Sequence, residues 1–71
     1  MYIRKISIGA DYKNAMHYIV NQSVLDGSYV IHLIQKEEHS TKIFIEKNNE
    51  VLLWKEFNDS MPVSYEYNID I

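Results

Sequence analysis

Three histidines, His17, His32 and His39, are the first side chains in this sequence with the chemistry to hold a metal or move a proton. A metal centre needs ligands that converge. No two of these imidazoles are spaced to share one face of a single helix or strand, and the chain has no cysteine to supply thiolates or disulfides. No metal and no cofactor are therefore expected. His32 is the most interesting of the three, because it interrupts an apolar run and could make an assembly pH-dependent if it bonded across a subunit boundary. The serines lie in no nucleophile-elbow context. Glu37 and Glu38 fall in a polar loop, where water keeps both ionised. An acid–base pair would need a cleft that shifts one pKa. These residues argue against an enzyme.

Ligand binding has a weaker but definite set of candidates. Gly9-Ala10 leads toward a possible helix N-terminus, which attracts anions, but Asp11 at that end would repel a phosphate. Arg4, Lys5 and Lys13 could hold one instead, although solvation of surface charge explains them equally. Tyr65 and Tyr67 could stack on a planar base. Together these five residues define a possible site for a small nucleotide held between subunits. Lys42, Lys47 and Lys55 alternate with Phe44 and Trp54, a faint echo of a nucleic-acid surface. Glu46 and Glu56 dilute it, and a net charge of −3 gives no pull toward a polyanion. That acidity is also too mild for a DNA mimic.

The elements that must position these residues can be read from periodicity. Tyr2 to Ile8 reads as a strand ended by Gly9. Asp11 is a good N-cap, and Tyr12, Ala15, Met16, Ile19 and Val20 follow at helical spacing, which predicts an amphipathic helix fading after Gln22. Leu25-Asp26-Gly27-Ser28 is a turn. Tyr29 to Lys36, Thr41 to Lys47 and Val51 to Phe57 read as a meander, with Glu37 to Ser40 a loop and Asn48-Asn49 a tight turn. After Asn58-Asp59-Ser60, Pro62 suits the start of an edge strand. Val63, Tyr65, Tyr67, Ile69 and Ile71 then alternate cleanly with polar residues. The expected fold is a single α+β domain over residues 1–71, ordered β-α-β-β-β-β, with a mostly antiparallel sheet and one helix packed on one face. No apolar run approaches the roughly 18 residues that span a membrane. The opening residues lack the apolar stretch of a signal peptide, so a cytoplasmic protein is expected.

A face count gives the functional expectation. A helix of about 12 residues is about 18 Å long and covers one sheet face, not two. Val30, His32, Ile34, Phe44, Leu52 and Trp54 fall on the second parity of the middle strands and form a surplus apolar surface. A domain this small gains from a second subunit, so the surface is assigned first to a homo-oligomer. Partner or ligand binding, and closure of the sheet over itself as a half-barrel, stand as the alternatives.

The opening Met1-Tyr2-Ile3-Arg4-Lys5-Ile6, the Asp11-Tyr12-Lys13-Asn14 segment and the ending Glu66-Tyr67-Asn68-Ile69-Asp70-Ile71 resemble the small accessory proteins of T-even-type bacteriophages. The resemblance implies a non-enzymatic protein that binds and disables a host defence or regulatory protein in the host cytoplasm. The other readings are nucleotide sequestration and a purely structural or assembly role.

Overall fold

A computed structural model describes residues 2–68, apart from the side chain of Tyr12. The expected Ile69 and Ile71 positions lie outside them. Among the described residues the chain is built almost wholly of strands: β1 (Ile3–Ile8), β2 (Met16–Ile19), β3 (Ser23–Val24), β4 (Tyr29–Lys36), β5 (Ser40–Lys47), β6 (Glu50–Asn58) and β7 (Val63–Tyr67). They form two antiparallel sheets, ordered β2-β1-β7 and β3-β4-β5-β6.

The expected α+β architecture is corrected here, because the helix over Asp11 to Gln22 does not form. Asp11 does act as a local cap: its carboxylate accepts the Lys13 N–H at 3.2 Å and the Asn14 side-chain amide at 2.9 Å. The turn it starts is one 3-10 turn, Tyr12–Asn14, and the chain then extends as β2. The apolar residues of this stretch satisfy two periods at once. Tyr18 and Val20 also alternate, and with Tyr18 on β2 and Val20 directly after it both pack on the core. Branched and aromatic side chains such as Tyr18, Ile19 and Val20 lose rotamer freedom in a helix. An isolated helix this short is marginal in water. Pairing with β1, at Ile6 opposite Tyr18, decides the competition.

The two sheets are joined by a corner at Asn21. Val20 N–H still bonds the Arg4 carbonyl at 2.8 Å, whereas Asn21 N–H bonds the Ile31 carbonyl at 2.8 Å and the Ile31 N–H bonds the Gln22 carbonyl at 2.9 Å. The segment thus leaves β1 and joins β4 within two residues, as strands do at sandwich corners. Asn21 has φ 76°, a left-handed conformation that asparagine tolerates better than branched residues. The sheet folds over itself at this corner, and each sheet covers the inner face of the other.

Seven isoleucines, Ile3, Ile6, Ile8, Ile31, Ile34, Ile43 and Ile45, fill the space between the sheets. Each buried side chain of this size is worth roughly 1.5–3 kcal/mol of transfer free energy. Tyr18 reaches across to Trp54, edge to face at 5.7 Å, and to Phe57 at 6.0 Å. Burial raises the pKa of its phenol. Thr41, also buried, shares a 2.6 Å hydrogen bond with the Tyr65 hydroxyl, tying β5 to β7.

Register shifts place the side chains in a way that strict alternation does not. They occur between Ile3 and Lys5, between Ile31 and Leu33, and on β6 opposite the Ile43–Phe44 step. A bulge sets two residues opposite one and resets the parity beyond it. Ile3 and Ile6 therefore both point inward, as do Ile31 and Ile34. The Asn48-Asn49 turn, with φ 53° and 67°, joins β5 to β6 as expected for a tight hairpin.

Candidate interaction surface

The outer face of the four-stranded sheet is built from three cross-strand rows. Leu33 on β4 lies opposite Phe44 on β5, and Phe44 lies opposite Leu53 on β6. This central row is apolar from strand to strand. On one side of it Val30, Glu46 and Val51 are in register, and on the other Gln35, Lys42 and Glu56. Leu33, Leu53 and Val51 keep 39%, 47% and 48% of their surface in water, and Phe44 is half-buried between its neighbours.

Charges border the row on both sides. His32, pushed outward by the β4 bulge, has Nδ1 3.4 Å from the Glu46 carboxylate. Lys42 Nζ lies 3.1 Å from Glu37, whose hydrogen bond and charge raise the lysine pKa. The face is an apolar stripe within a polar rim in which Glu37, Glu46 and Glu56 outnumber Lys42.

The expected surface residues divide between the two sides of the sheet. Val30, His32 and Phe44 lie on the outer face. Ile34 is buried in the core, and Trp54 turns inward against Tyr18. Leu52 is opposite Ile45 on the inner side, yet 43% exposed because β6 is an edge strand. Leu33, Leu53 and Val51 take their places outside. Much of the surplus apolar parity is thus absorbed by the folding of the sheet on itself, and the remainder forms the stripe. The signal that could have found the exchange is the three-residue spacing of Ile31 and Ile34, with two outward residues between them.

The outer face of the three-stranded sheet is polar. Lys5, Ser7, Ser64, Tyr65 and Glu66 line a shallow groove of about 160 Å³, well below the roughly 300–1,000 Å³ of typical ligand pockets. Lys5, expected at a ligand site, lies here, whereas the Tyr65 side chain, also expected there, turns inward beside Ile6 and packs on the core. Arg4 reaches the groove through an ion pair with Glu66, which lowers the carboxyl pKa. Lys13 belongs to the exposed 3-10 turn, and Tyr67 is exposed opposite Ile3. The Tyr65 hydroxyl is committed to Thr41.

Sequence reasoning missed one contact with chemical potential. Ser7 Oγ lies 2.7 Å from His17 Nδ1, a nucleophile–base distance, across the β1–β2 ladder. It is legible only once residues 16–19 are known to be a strand. Glu66, the carboxylate lining the same groove, is taken by Arg4. Among the described residues no group of three metal-capable side chains converges, and no helix is long and apolar enough to cross a membrane.

Comparison with protein-family models, characterised proteins and solved structures finds no match.

Proposed function

We propose that this chain is a non-enzymatic protein-binding domain whose working surface is the outer face of the four-stranded sheet. One observation carries the proposal: the unbroken apolar row Leu33–Phe44–Leu53 runs across three strands and stays open to water. Exposed apolar patches with polar rims are characteristic of protein contact sites. Glu37, Glu46 and Glu56 around the row, with the net negative charge, favour a protein partner over a nucleic acid or an anionic lipid surface. The resemblance to small phage accessory proteins points to a bacterial host protein as the target, bound and disabled rather than modified.

A nucleotide site is supported less well. The polar groove is small, and Arg4 is already neutralised by Glu66. Immobilised protein exposed to a bacterial lysate tests the proposal. A defined protein should be retained by the unaltered chain and by Lys13→Ala, and lost with Leu33→Lys. Equal capture by Leu33→Lys, or no specific capture, would refute this assignment of the surface.

A further inference from the structure

We propose that β6 pairs antiparallel with β6 of a second copy of this chain, with Leu52 on the two-fold axis. This goes beyond the target-binding proposal and stands without it.

The two sheets have four edge strands, of which β2 and β3 are short, at four and two residues, and flank the Asn21 corner. β7 is a short edge of five residues that follows Pro62 and alternates Ser64 and Glu66 outward. Such features discourage strand addition. β6 is longer, at nine residues, and its bulge and lysine come only at Trp54–Lys55. Ahead of them Val51, Leu52 and Leu53 run consecutively, and each is between 43% and 48% exposed. Val51 and Leu53 point to the outer face and Leu52 to the inner. A partner lying on one face of the sheet would cover one parity. A strand added at the edge covers both, and it also satisfies the outward-facing backbone groups.

Parity and charge then select the second copy and its register. A two-fold axis perpendicular to the sheet keeps inner residues with inner residues. Opposed positions must therefore share a face, and the axis passes through a residue pair. Centred on Leu52, the pairing sets Leu52 against the partner's Leu52 and Val51 against the partner's Leu53. At each end of this apolar centre, Glu50 meets the bulge that carries the partner's Lys55. Among the described residues Glu50 and Lys55 form no ion pair within the chain; Lys55 Nζ lies over its own Trp54 ring at 4.8 Å. The pairing gives both a charge partner, twice by symmetry. Centring on Val51 sets Leu52 against the partner's Glu50. Centring on Leu53 sets Leu52 against the bulge and Val51 against the partner's Glu56. Only the Leu52 register matches apolar with apolar and opposite charge with opposite charge.

The pairing also prolongs the apolar row on the outer face. Leu53 at its end would be followed by the partner's Val51, so the dimer carries a wider stripe than either copy alone.

Because the chain has no cysteine, single-cysteine variants report the register directly. Opposed strand residues lie about 4.5–5.5 Å apart at Cα, within disulfide range. Under mild oxidation Leu52→Cys should form a disulfide-linked dimer. Val51→Cys and Leu53→Cys should each stay largely monomeric alone and cross-link when mixed. Equal cross-linking at all three positions, or none at Leu52→Cys with circular dichroism unchanged, would overturn the proposal. Sedimentation of the unaltered chain gives the second arm. A dimer that Leu52→Lys dissociates supports the pairing, and a monomer at about 100 μM refutes it. Leu33→Lys, which tests the target surface, should leave cross-linking at Leu52→Cys intact, so failure of one proposal is distinguishable from failure of the other.

Discussion

The hydrogen bond between Thr41 and Tyr65 is a sharp test of how the two sheets are held together. It joins β5 to β7 across the isoleucine core at 2.6 Å, and Thr41 is only 1% exposed. Among the described residues, no buried side-chain nitrogen or oxygen lacks a partner. Tyr65→Phe would create such an orphan, because the Thr41 hydroxyl would lose its partner with no access to water. Leaving a buried hydroxyl unpaired costs about 1–3 kcal/mol. Thr41→Val removes the other half but leaves the half-buried Tyr65 hydroxyl able to find water, so about 0.5–1.5 kcal/mol is expected. The double variant carries no orphan and should lose less than the two single changes added together. A domain of this size holds roughly 3–5 kcal/mol in all, so the effect is large. With a urea slope of about 1 kcal/mol/M, Tyr65→Phe should lower the unfolding midpoint by about 1–3 M. Strict additivity in the double-mutant cycle, or an unchanged midpoint for Tyr65→Phe, would show that the contact does not join the sheets in solution.

Other perturbations address separate features. Gly9 has φ 140°, and a Cβ there would lie 3.1 Å from the Ala15 backbone; Gly9→Ala should cost about 1–3 kcal/mol, read as a lower thermal midpoint. Asn21→Gly should preserve the sheet-switching corner, whereas Asn21→Val should destabilise it by about 1–2 kcal/mol in urea titration. The Arg4 guanidinium holds the Glu66 carboxyl below its ordinary pKa. A carboxyl depressed on folding contributes stability above its unfolded pKa, and that contribution is lost as pH falls through the folded value. The urea midpoint of Glu66→Gln should therefore lie slightly below that of the unaltered chain at neutral pH, and the two should converge in acid. The difference should shrink with added salt, because both groups are exposed. At concentrations too low for self-pairing, Leu53→Lys should change the unfolding free energy by less than about 0.5 kcal/mol, since its side chain is half-exposed in the single chain.

What could be read from the residues was whatever depended on local conformation. Asn48-Asn49 announced its hairpin because few residues accept two successive positive φ angles. The alternation of Ile43 and Ile45 against Phe44 gave the correct faces of β5. The helix failed because Tyr18 and Val20 suit a strand as well as a helix. Only the ladder to β1, which sets Ile6 opposite Tyr18, favours the strand. The candidate surface failed at Ile34 and Trp54 for a related reason. A bulge depends on two strands, so one strand's residues do not reveal it, and parity counted through His32 or Trp54 slips by one. The five residues expected at a ligand site, Arg4, Lys5, Lys13, Tyr65 and Tyr67, are spread over several places, and only Lys5 lines the polar groove with its side chain. The Ser7–His17 contact required the missing register.

The pairing of β1 with β7 also governs how quickly the protein can form. β4, β5 and β6 are joined by short turns, so their ladders close by local steps. β1 cannot complete its sheet until residues such as Arg4 and Glu66, 62 positions apart, find one another. Until then the inner isoleucines of β4 and β5 lack part of their cover. Folding should therefore run on the millisecond-to-second scale of β proteins dominated by distant contacts, slower than a helical chain of equal length. During that interval the unguarded half of β6 is available to any neighbouring strand.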